Sequence, residues 1–263
     1  MCYDISFKTE GEILKEYFAP TPLSNQLEFH FISIEHMQAQ AHMCLPVIFL
    51  QDGKLVIRNF EWGVIAEYMN SIEKVKKQRS SMCNARAEKL LDKSSYWHRI
   101  RNNRCLIPVT GIFEHRGVKG FKNKIPYHVR WRNRKMFCIP GLYNYSNLPD
   151  PETGEQIGTF TIVTTEANEL MSYIHNDGEN KHRMPLFLTK ELELEWLKDD
   201  ITDDALKEIL NFRASSEDLE CWTVSTIRTN KQRPDGKMKF EPFEWKDLPP
   251  FGKDDVTTQQ TLF

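Results

Sequence analysis

The chain has 263 residues and a formal net charge of −2, and 40% of its residues are hydrophobic and 27% charged. This composition is typical of a soluble globular protein that is long enough to bury a sizeable core. It contains no run of apolar residues long enough to span a membrane, and the N-terminal segment MCYDISFKTEGEI lacks the apolar core of a signal peptide. We therefore expect a cytoplasmic protein.

The first half of the chain predicts short strands and few helices. In order, strand, helix, strand, strand and strand patterns occur at 3–7, 9–17, 30–33, 46–50 and 55–60. An exposed helix or loop at 71–79 and a helix at 96–103 follow, and then strands at 104–109 and 111–115. Pro108 lies inside the strand predicted at 104–109 and cannot donate a backbone hydrogen bond, so we expect that strand at a sheet edge or a bulge.

The second half continues the pattern, with helices that are better marked. Strands are predicted at 125–131, 136–140, 159–164, 184–188 and 222–225. Helices are predicted at 166–174, 189–198 and 202–212, the last two capped by Thr189 and Thr202. Many strands without a βαβ rhythm favour one α+β domain over 1–248, built on a curved, barrel-like, mainly antiparallel sheet with short flanking helices. Residues 249–263 predict a flexible tail.

Cys2 stands out among six cysteines because it directly follows Met1. None of the cysteines forms a C-x-x-C pair, so neither a zinc site nor a disulfide framework is indicated. Removal of Met1 would leave an α-amine and a thiol on neighbouring carbons, with ordinary pKa values near ~8 and ~8.5. Such a pair can trap an aldehyde as an imine and then as a thiazolidine ring. The alternative is that Cys2 is a chance residue at a frayed terminus.

Charge is distributed unevenly along the chain. Between Lys93 and Lys135 there are twelve Lys and Arg residues and one acid, Glu114, whereas 190–220 contains eleven acids and four bases. The basic stretch is interleaved with aromatic residues such as Trp97, which fits a phosphate-binding surface with platforms for base stacking. The alternative is that these charges lie on different faces and only solvate strands.

Three short segments place polar side chains at the ends of strands or helices. Asn84 could orient a substrate and Arg86 could bind a phosphate, although a capping Asn and a surface Arg fit equally. Glu114 follows an apolar strand and could act as a general acid or base, or form a structural ion pair. His175 and His182 could each move protons or be ordinary loop histidines. No Gly-rich phosphate loop, G-x-S-x-G or H-E-x-x-H occurs, so neither a cofactor nor a metal is expected.

Ordered along the chain, these segments resemble a known family. Cys2 after Met1, NARAE at 84–88, RCLIPVTGIFE at 104–114, TIVTTEAN at 161–168, IH at 174–175 and RMP at 183–185 are similar to the motifs of the SRAP (SOS response-associated peptidase) family. The resemblance extends to about residue 242. It implies one α+β domain around a barrel-like core, and a protein that loses Met1 and crosslinks Cys2 to abasic sites in single-stranded DNA.

The resemblance also implies roles for individual residues. Cys2 matches the covalent nucleophile, Asn84 the residue that positions it, Glu114 the acid/base group and His175 the family histidine. Two further residues, Arg86 and Arg183, match phosphate-contacting positions. From the basic, aromatic-rich stretch we also expect Trp97 and Arg104 to contact DNA.

The chain departs from the family pattern at four places. Tyr3-Asp4 replaces the usual Gly-Arg, so an acid stands where a base is expected beside the nucleophile. His115 replaces the usual Trp after the glutamate. Seven residues separate His175 from Arg183 where the pattern has one, so His182 remains a rival for proton transfer. The family's closing Asn-rich segment is only loosely similar to 228–236.

Two other functions remain open from the sequence. One is an N-terminal-nucleophile peptidase or amidohydrolase that uses the same Cys2, Asn84 and Glu114. The other is a non-catalytic module that binds single-stranded DNA in a salt-sensitive way. In addition, Gln259–Phe263 resembles the Q-x-x-L-F peptide by which bacterial repair proteins bind the sliding clamp; the alternative is that it is an arbitrary tail sequence. We expect a monomer with no membrane partner.

Overall fold

The structure is a computed structural model that describes residues 2–8, 11–19, 33–229 and 231–252. Met1, most of the strand predicted at 30–33 and the peptide Gln259–Phe263 lie outside the described residues. Within them the strands are β1 (Asp4–Phe7), β2 (Ile34–Gln38), β3 (Cys44–Gln51), β4 (Lys54–Trp62), β5 (Asn84–Arg86), β6 (Arg104–Val109), β7 (Gly111–Arg116), β8 (Ile125–Trp131), β9 (Phe137–Pro149), β10 (Gln156–Glu166), β11 (Arg183–Pro185) and β12 (Leu219–Thr223). The α-helices are α1 (Gly11–Phe18), α2 (Ile72–Gln78), α3 (Tyr96–Arg99), α4 (Glu169–Ile174), α5 (Lys190–Trp196) and α6 (Asp203–Asn211).

Five strands form a closed barrel. The order is β10, β4, β3, β6 and β9, and β9 pairs with β10 to complete the ring. All pairings in the ring are antiparallel except the short parallel one between β10 and β4. Two glycines allow close approach in this wall: a Cβ at Gly141 would lie 2.4 Å from the Thr161 carbonyl oxygen, and one at Gly158 would lie 2.2 Å from the Phe60 ring.

A second sheet and two short strands extend the barrel. The second sheet is antiparallel, in the order β12, β8, β7, β1 and β2. β5 pairs with β10 in parallel, and β11 pairs with it antiparallel. Since β1 carries the N-terminus and pairs with β7, the residues next to Cys2 are held beside the strand that contains Glu114.

Buried apolar side chains fill the barrel and the space between it and the helices. The largest of these side chains that solvent does not reach include Trp62, Trp196, Phe137 and Phe187. The indole N–H groups of Trp62 and Trp196 donate to the backbone carbonyls of Cys83 and Cys105, respectively. Burial of a large aromatic ring with its polar atom bonded stabilises the fold without leaving a donor unpaired.

The prediction of an α+β fold with a barrel-like, mainly antiparallel core is confirmed. The predicted caps are also confirmed, because the side chains of Thr189 and Thr202 accept hydrogen bonds from the backbone N–H groups of Leu192 and Ala205. The sequence predicted that the strand containing Pro108 lies at a sheet edge or a bulge, and the first of these, the sheet edge, was wrong. β6 lies between β3 and β9, but it pairs with β3 only at Leu106, so Pro108 lies beyond that ladder.

Several element bounds differ from the sequence prediction. The helix predicted at 96–103 ends at Arg99, and the strand predicted at 184–188 is limited to Arg183–Pro185. The strand predicted at 136–140 continues to Pro149, because it runs along β10 after it leaves β6. The beginning of the predicted tail packs on the fold: the Gly252 N–H donates to the Tyr173 hydroxyl at 2.9 Å, and the Phe251 and Tyr173 rings are 4.2 Å apart.

Candidate functional site

Cys2 is completely buried two residues before β1 begins. Its Sγ donates to the carbonyl oxygen of Asp4 at 3.6 Å. Burial raises the pKa of the Cys2 thiol well above its usual range, and the negative charges of Glu114 and Asp4 raise it further. The thiol is therefore held protonated at neutral pH, so it needs a proton acceptor before it can act as a nucleophile.

Glu114 lies on β7, one residue after Phe113, which pairs with Asp4. It is 4% exposed, and its Oε1 has no hydrogen-bond partner among the described residues. Burial raises the pKa of the Glu114 carboxyl to about 8. A carboxyl group that is neutral near pH 7 and has a free oxygen can donate a proton to a reacting group and take it back.

Asn84 begins β5 and is 5% exposed, yet neither atom of its amide has a hydrogen-bond partner in the described part of the chain. Ala39 connects the residues next to Asn84 and Cys2. The Ala39 N–H donates to the Tyr3 carbonyl at 2.8 Å, and the Cys83 Sγ donates to the Ala39 carbonyl at 3.8 Å. An unpaired buried amide is costly in a folded protein and is rarely retained without a ligand.

His175 follows α4 and is fixed between two elements of the site. Its Nδ1 lies 2.9 Å from the Arg183 carbonyl oxygen, which favours the tautomer that donates from Nδ1. The neighbouring Asn176 exchanges hydrogen bonds of 2.9 and 3.0 Å with the backbone of Gly117, directly after β7. Burial lowers the pKa of His175 to about 4, so the ring is neutral at physiological pH.

His182, the rival for proton transfer, lies on the surface with a left-handed backbone (φ 59°). Its backbone N–H donates to the His175 carbonyl at 2.8 Å. This hydrogen bond joins the two ends of the longer segment between His175 and Arg183. His182 is exposed to solvent, whereas His175 is buried. The geometry favours His175 for proton transfer.

The four residues predicted to contact DNA differ in their surroundings. Arg86 is exposed and donates to the Asn180 side chain at 2.9 Å. Arg183 is nearly buried, with a bidentate contact to the Glu88 carboxylate at 2.9 and 3.0 Å. Trp97 is half-buried in α3, in edge-to-face contact with the Tyr96 ring at 5.5 Å between centroids.

Arg104, which we also predicted to contact DNA, has surroundings that do not favour such a contact. Its guanidinium is buried, and it donates to the carbonyl oxygens of Trp196, Arg101 and Lys198 at 2.8, 3.0 and 2.5 Å. These bonds satisfy carbonyls at the end of α5 and bind that helix to β6. The guanidinium is therefore engaged by the backbone of the fold rather than open to a phosphate.

Two partners of Asp4, His36 and Arg228, were missed in the sequence. Asp4 is buried, and His36 of β2 and Arg228, which follows β12, both donate to its carboxylate. Burial alone would raise the pKa of Asp4, but these hydrogen bonds outweigh it and hold the pKa below its usual value. An acid next to a buried nucleophile implies a cationic partner, but the sequence does not say which cation supplies it.

No group of three or more His, Cys, Asp or Glu side chains in the described part of the chain is arranged to hold a metal ion. Among the described helices, none has the length and apolar character needed to span a bilayer.

Comparisons with known proteins place the chain in a family. The profile of the family described as SOS response associated peptidase (SRAP) matches residues 1–232. The abasic site processing protein YoqW of Bacillus subtilis (strain 168) is 35% identical over 166 residues, which cover 63% of this chain and 68% of that protein. The abasic site processing protein HMCES of Gallus gallus is 26% identical over 233 residues, covering 81% of this chain and 62% of that protein.

A solved structure has the same fold. The crystal structure of a protein from Bacteroides thetaiotaomicron is 29% identical and superimposes with a TM-score of 0.73, covering 92% of this chain and 97% of that one. The matched region includes every residue of the candidate site from Cys2 to Arg228. The chain belongs to the SRAP family.

Proposed function

We propose that this protein processes abasic sites by forming a covalent crosslink to single-stranded DNA through Cys2, after Met1 has been removed. The observation that carries the proposal is a pair of buried groups, the Asn84 amide and Glu114 Oε1, that have no hydrogen-bond partner among the described residues and lie in the region of the buried Cys2. Relatives of this chain are named abasic site processing proteins, which supports the same role here.

The chemistry begins at the α-amine that loss of Met1 would expose. The amine nitrogen attacks the C1′ aldehyde of the ring-opened sugar, and the carbinolamine loses water to give an imine. Glu114, neutral below about pH 8, donates the proton that the departing hydroxyl requires. The Glu114 carboxylate then takes the proton of the Cys2 thiol, and the sulfur adds to the carbon of the protonated imine, which closes the thiazolidine ring and leaves Glu114 neutral again.

The other site residues transfer protons or hold the substrate in position. The neutral ring of His175 accepts a proton during opening of the sugar. Asn84 binds the reacting aldehyde or the nucleophile through its free amide. Arg86 and Arg183 bind flanking phosphates and Trp97 stacks on a base. Single strands are favoured because no base pair has to be opened first.

A denaturing gel tests the proposal most directly. Purified protein mixed with single-stranded DNA that contains one abasic site should give a heat-stable band of slower mobility, and Cys2→Ala should abolish it. Persistence of the band in the variant would exclude Cys2 as the nucleophile. Mass spectrometry of the same protein should show loss of Met1, because with Met1 retained the amine is part of a peptide bond.

The family name favours a second candidate, a peptidase that cleaves its own Met1–Cys2 bond with the same Cys2, Asn84 and Glu114. Its signature is turnover of peptide substrates without an adduct on abasic DNA. Self-cleavage and crosslinking are compatible, since the first would generate the amine that the second uses. Protein made with Cys2→Ala should then also retain Met1.

We further propose that Gln259–Phe263 binds the replication sliding clamp and that the protein acts in the cytoplasm as a monomer. Leu262 and Phe263 would fill an apolar pocket of the clamp. Deletion of 259–263 should abolish clamp capture in a pulldown, and unchanged capture would dispose of the idea.

A further inference from the structure

Asp4 is an ionised carboxylate in the interior, two residues from the nucleophile. Its side chain is 2% exposed. Taking a charged carboxylate out of water is unfavourable unless a cation and further hydrogen bonds compensate it. The fold therefore has to supply a positive charge at this point, beside Cys2.

Arg228 supplies that charge from the far end of the chain. Its Nε donates to Asp4 Oδ1 at 3.2 Å and its Nη2 donates to Oδ2 at 2.6 Å, in a bidentate arrangement that fixes the guanidinium plane. His36 Nε2 donates to Oδ1 at 2.7 Å, so both oxygens of Asp4 are bonded. The carboxylate thus acts as an anchor that holds Arg228 in one orientation.

The anchored guanidinium retains an unused side. Nη1 of Arg228 makes no hydrogen bond to any described residue, and the side chain is 46% exposed. Its positive charge acts on both Glu114 and Cys2, and the bond to Asp4 raises the pKa of Arg228. The arginine is therefore charged, oriented, open to solvent and close to the reacting groups.

Arg183 differs from Arg228 in this respect. Its two terminal nitrogens are occupied by the Glu88 carboxylate, and Nη2 also donates to the Thr164 carbonyl at 2.9 Å. Before it could bind a phosphate with these nitrogens, Arg183 would have to give up bonds it already makes. Arg228 can bind an anion through Nη1 and keep its contact with Asp4.

We propose that Arg228, oriented by Asp4, binds a backbone phosphate of the single-stranded DNA immediately beside the abasic nucleotide. This inference rests on the proposed function, because it assigns a further DNA contact to the same site. Arg228 contacts the substrate, and Asp4 is a positioning residue that acts through it. Loss of one charge-assisted hydrogen bond to phosphate should lower the affinity about tenfold, which corresponds to about 1.4 kcal/mol.

The test is noncovalent binding of a single-stranded oligonucleotide that carries a tetrahydrofuran analogue of the abasic site. The analogue has no aldehyde, so affinity is measured apart from crosslinking. Fluorescence anisotropy across a range of NaCl concentrations should show that Arg228→Gln weakens binding about tenfold. The slope of log affinity against log salt should become shallower by about 0.7, the value for one phosphate contact on a single strand.

Matched variants distinguish a direct contact between Arg228 and DNA from a role in which Arg228 only neutralises the buried charge of Asp4. Arg228→Gln leaves a buried carboxylate without its main cation, so it can lower stability as well. The double variant Asp4→Asn/Arg228→Gln removes both charges and should regain stability while DNA binding stays weak. Restoration of wild-type affinity in the double variant, or unchanged affinity in Arg228→Gln, would overturn the inference.

Two further variants test whether Asp4 acts by positioning Arg228 and whether the effect is specific to the site. Asp4→Asn alone should weaken binding less than Arg228→Gln and leave the salt slope unchanged, since the positive charge is still present but no longer fixed. Arg58→Gln is the control, because Arg58 is an exposed arginine on β4 that bonds to Gln51 and Tyr145 rather than to site residues. If wild-type protein binds the analogue but never crosslinks to an abasic site, the proposed function fails and this inference can still be judged.

Discussion

Glu114 and Glu193 are both buried glutamates with a raised pKa, to about 8 and about 7, yet their surroundings are opposite. The Tyr17 hydroxyl donates to both oxygens of Glu193 at 2.8 and 2.6 Å, and the Cys138 N–H donates to it at 3.1 Å. Glu193 thereby joins α1 and α5 to β9. Glu114 Oε1 has no such partner among the described residues.

The contrast shows that a raised pKa by itself does not identify a catalytic acid. Burial is the largest cause in both cases, and what differs is hydrogen bonding. A fully bonded buried acid contributes to stability, whereas an unbonded one is costly and is available to a substrate. Two buried asparagines show the same contrast in hydrogen bonding. The Asn144 amide donates to the Ile65 carbonyl, whereas the Asn84 amide has no partner among the described residues.

The largest expected effect is on the rate of crosslinking in Glu114→Gln. The variant keeps the size of the side chain but cannot supply or accept the proton, so the single-turnover rate at pH 7 should fall about 100-fold or more. Glu193→Gln is the matched control. It should crosslink at the wild-type rate but unfold at a lower urea concentration, with a loss of about 1–3 kcal/mol. If the crosslinking rates of the two variants lie within about threefold of each other, Glu114 is not the proton donor.

The next effect is on how stability depends on pH. The native state holds the Glu114 proton up to about pH 8, whereas the unfolded chain releases it near its ordinary pKa of 4.5. Between these values the native state binds more protons, so this contribution to the free energy of unfolding decreases as the pH rises. Relative to wild type, Glu114→Gln should become more stable by a few kcal/mol between pH 5 and pH 8. Urea unfolding at several pH values measures this, and a constant difference would contradict the raised pKa.

A smaller effect is expected at the two asparagines. Asn84→Ala removes an amide without partners, so crosslinking should slow about tenfold while the melting temperature stays equal or rises. Asn144→Ala should do the reverse, because its amide donates to the Ile65 carbonyl at 2.8 Å. Rates and thermal melts of both variants check this. A clear loss of stability in Asn84→Ala would assign that residue to the fold.

The smallest effect concerns two arginines that the sequence treated alike. Arg86→Gln should weaken DNA binding a few-fold and reduce the salt slope by about 0.7. Arg104→Gln should leave the salt slope unchanged and lower the melting temperature, because three backbone carbonyls lose their donor. A reduced slope in Arg104→Gln would return that residue to the DNA surface.

Local patterns in the sequence were enough to predict most of the elements and the order of the site motifs. Alternation of apolar residues marks strands such as β8 and β10, and Thr caps mark the starts of α5 and α6, because these signals depend on neighbours only a few residues apart. The motif residues Asn84, Glu114 and His175 were identified in the same way, by their place within short segments. Their roles as a set came from the resemblance to a family.

Long-range pairing decided the rest. Closure of the barrel requires β10 to pair with β4 and β9 at once, and this put the strand containing Pro108 inside the ring instead of at an edge. No local pattern shows that the Arg104 guanidinium is used up by carbonyls at the end of a helix. The number of bonds a polar group makes depends on what the fold brings to it.

Asp4 shows most clearly which features the sequence determined and which the tertiary structure decided. The sequence by itself determined that an acid replaces a base beside the nucleophile. Only the tertiary structure brought Arg228 to that acid, across 224 residues, and so returned a positive charge to the site. The physical reason is that a buried carboxylate must be compensated wherever the fold can reach it, and sequence distance places no limit on that reach.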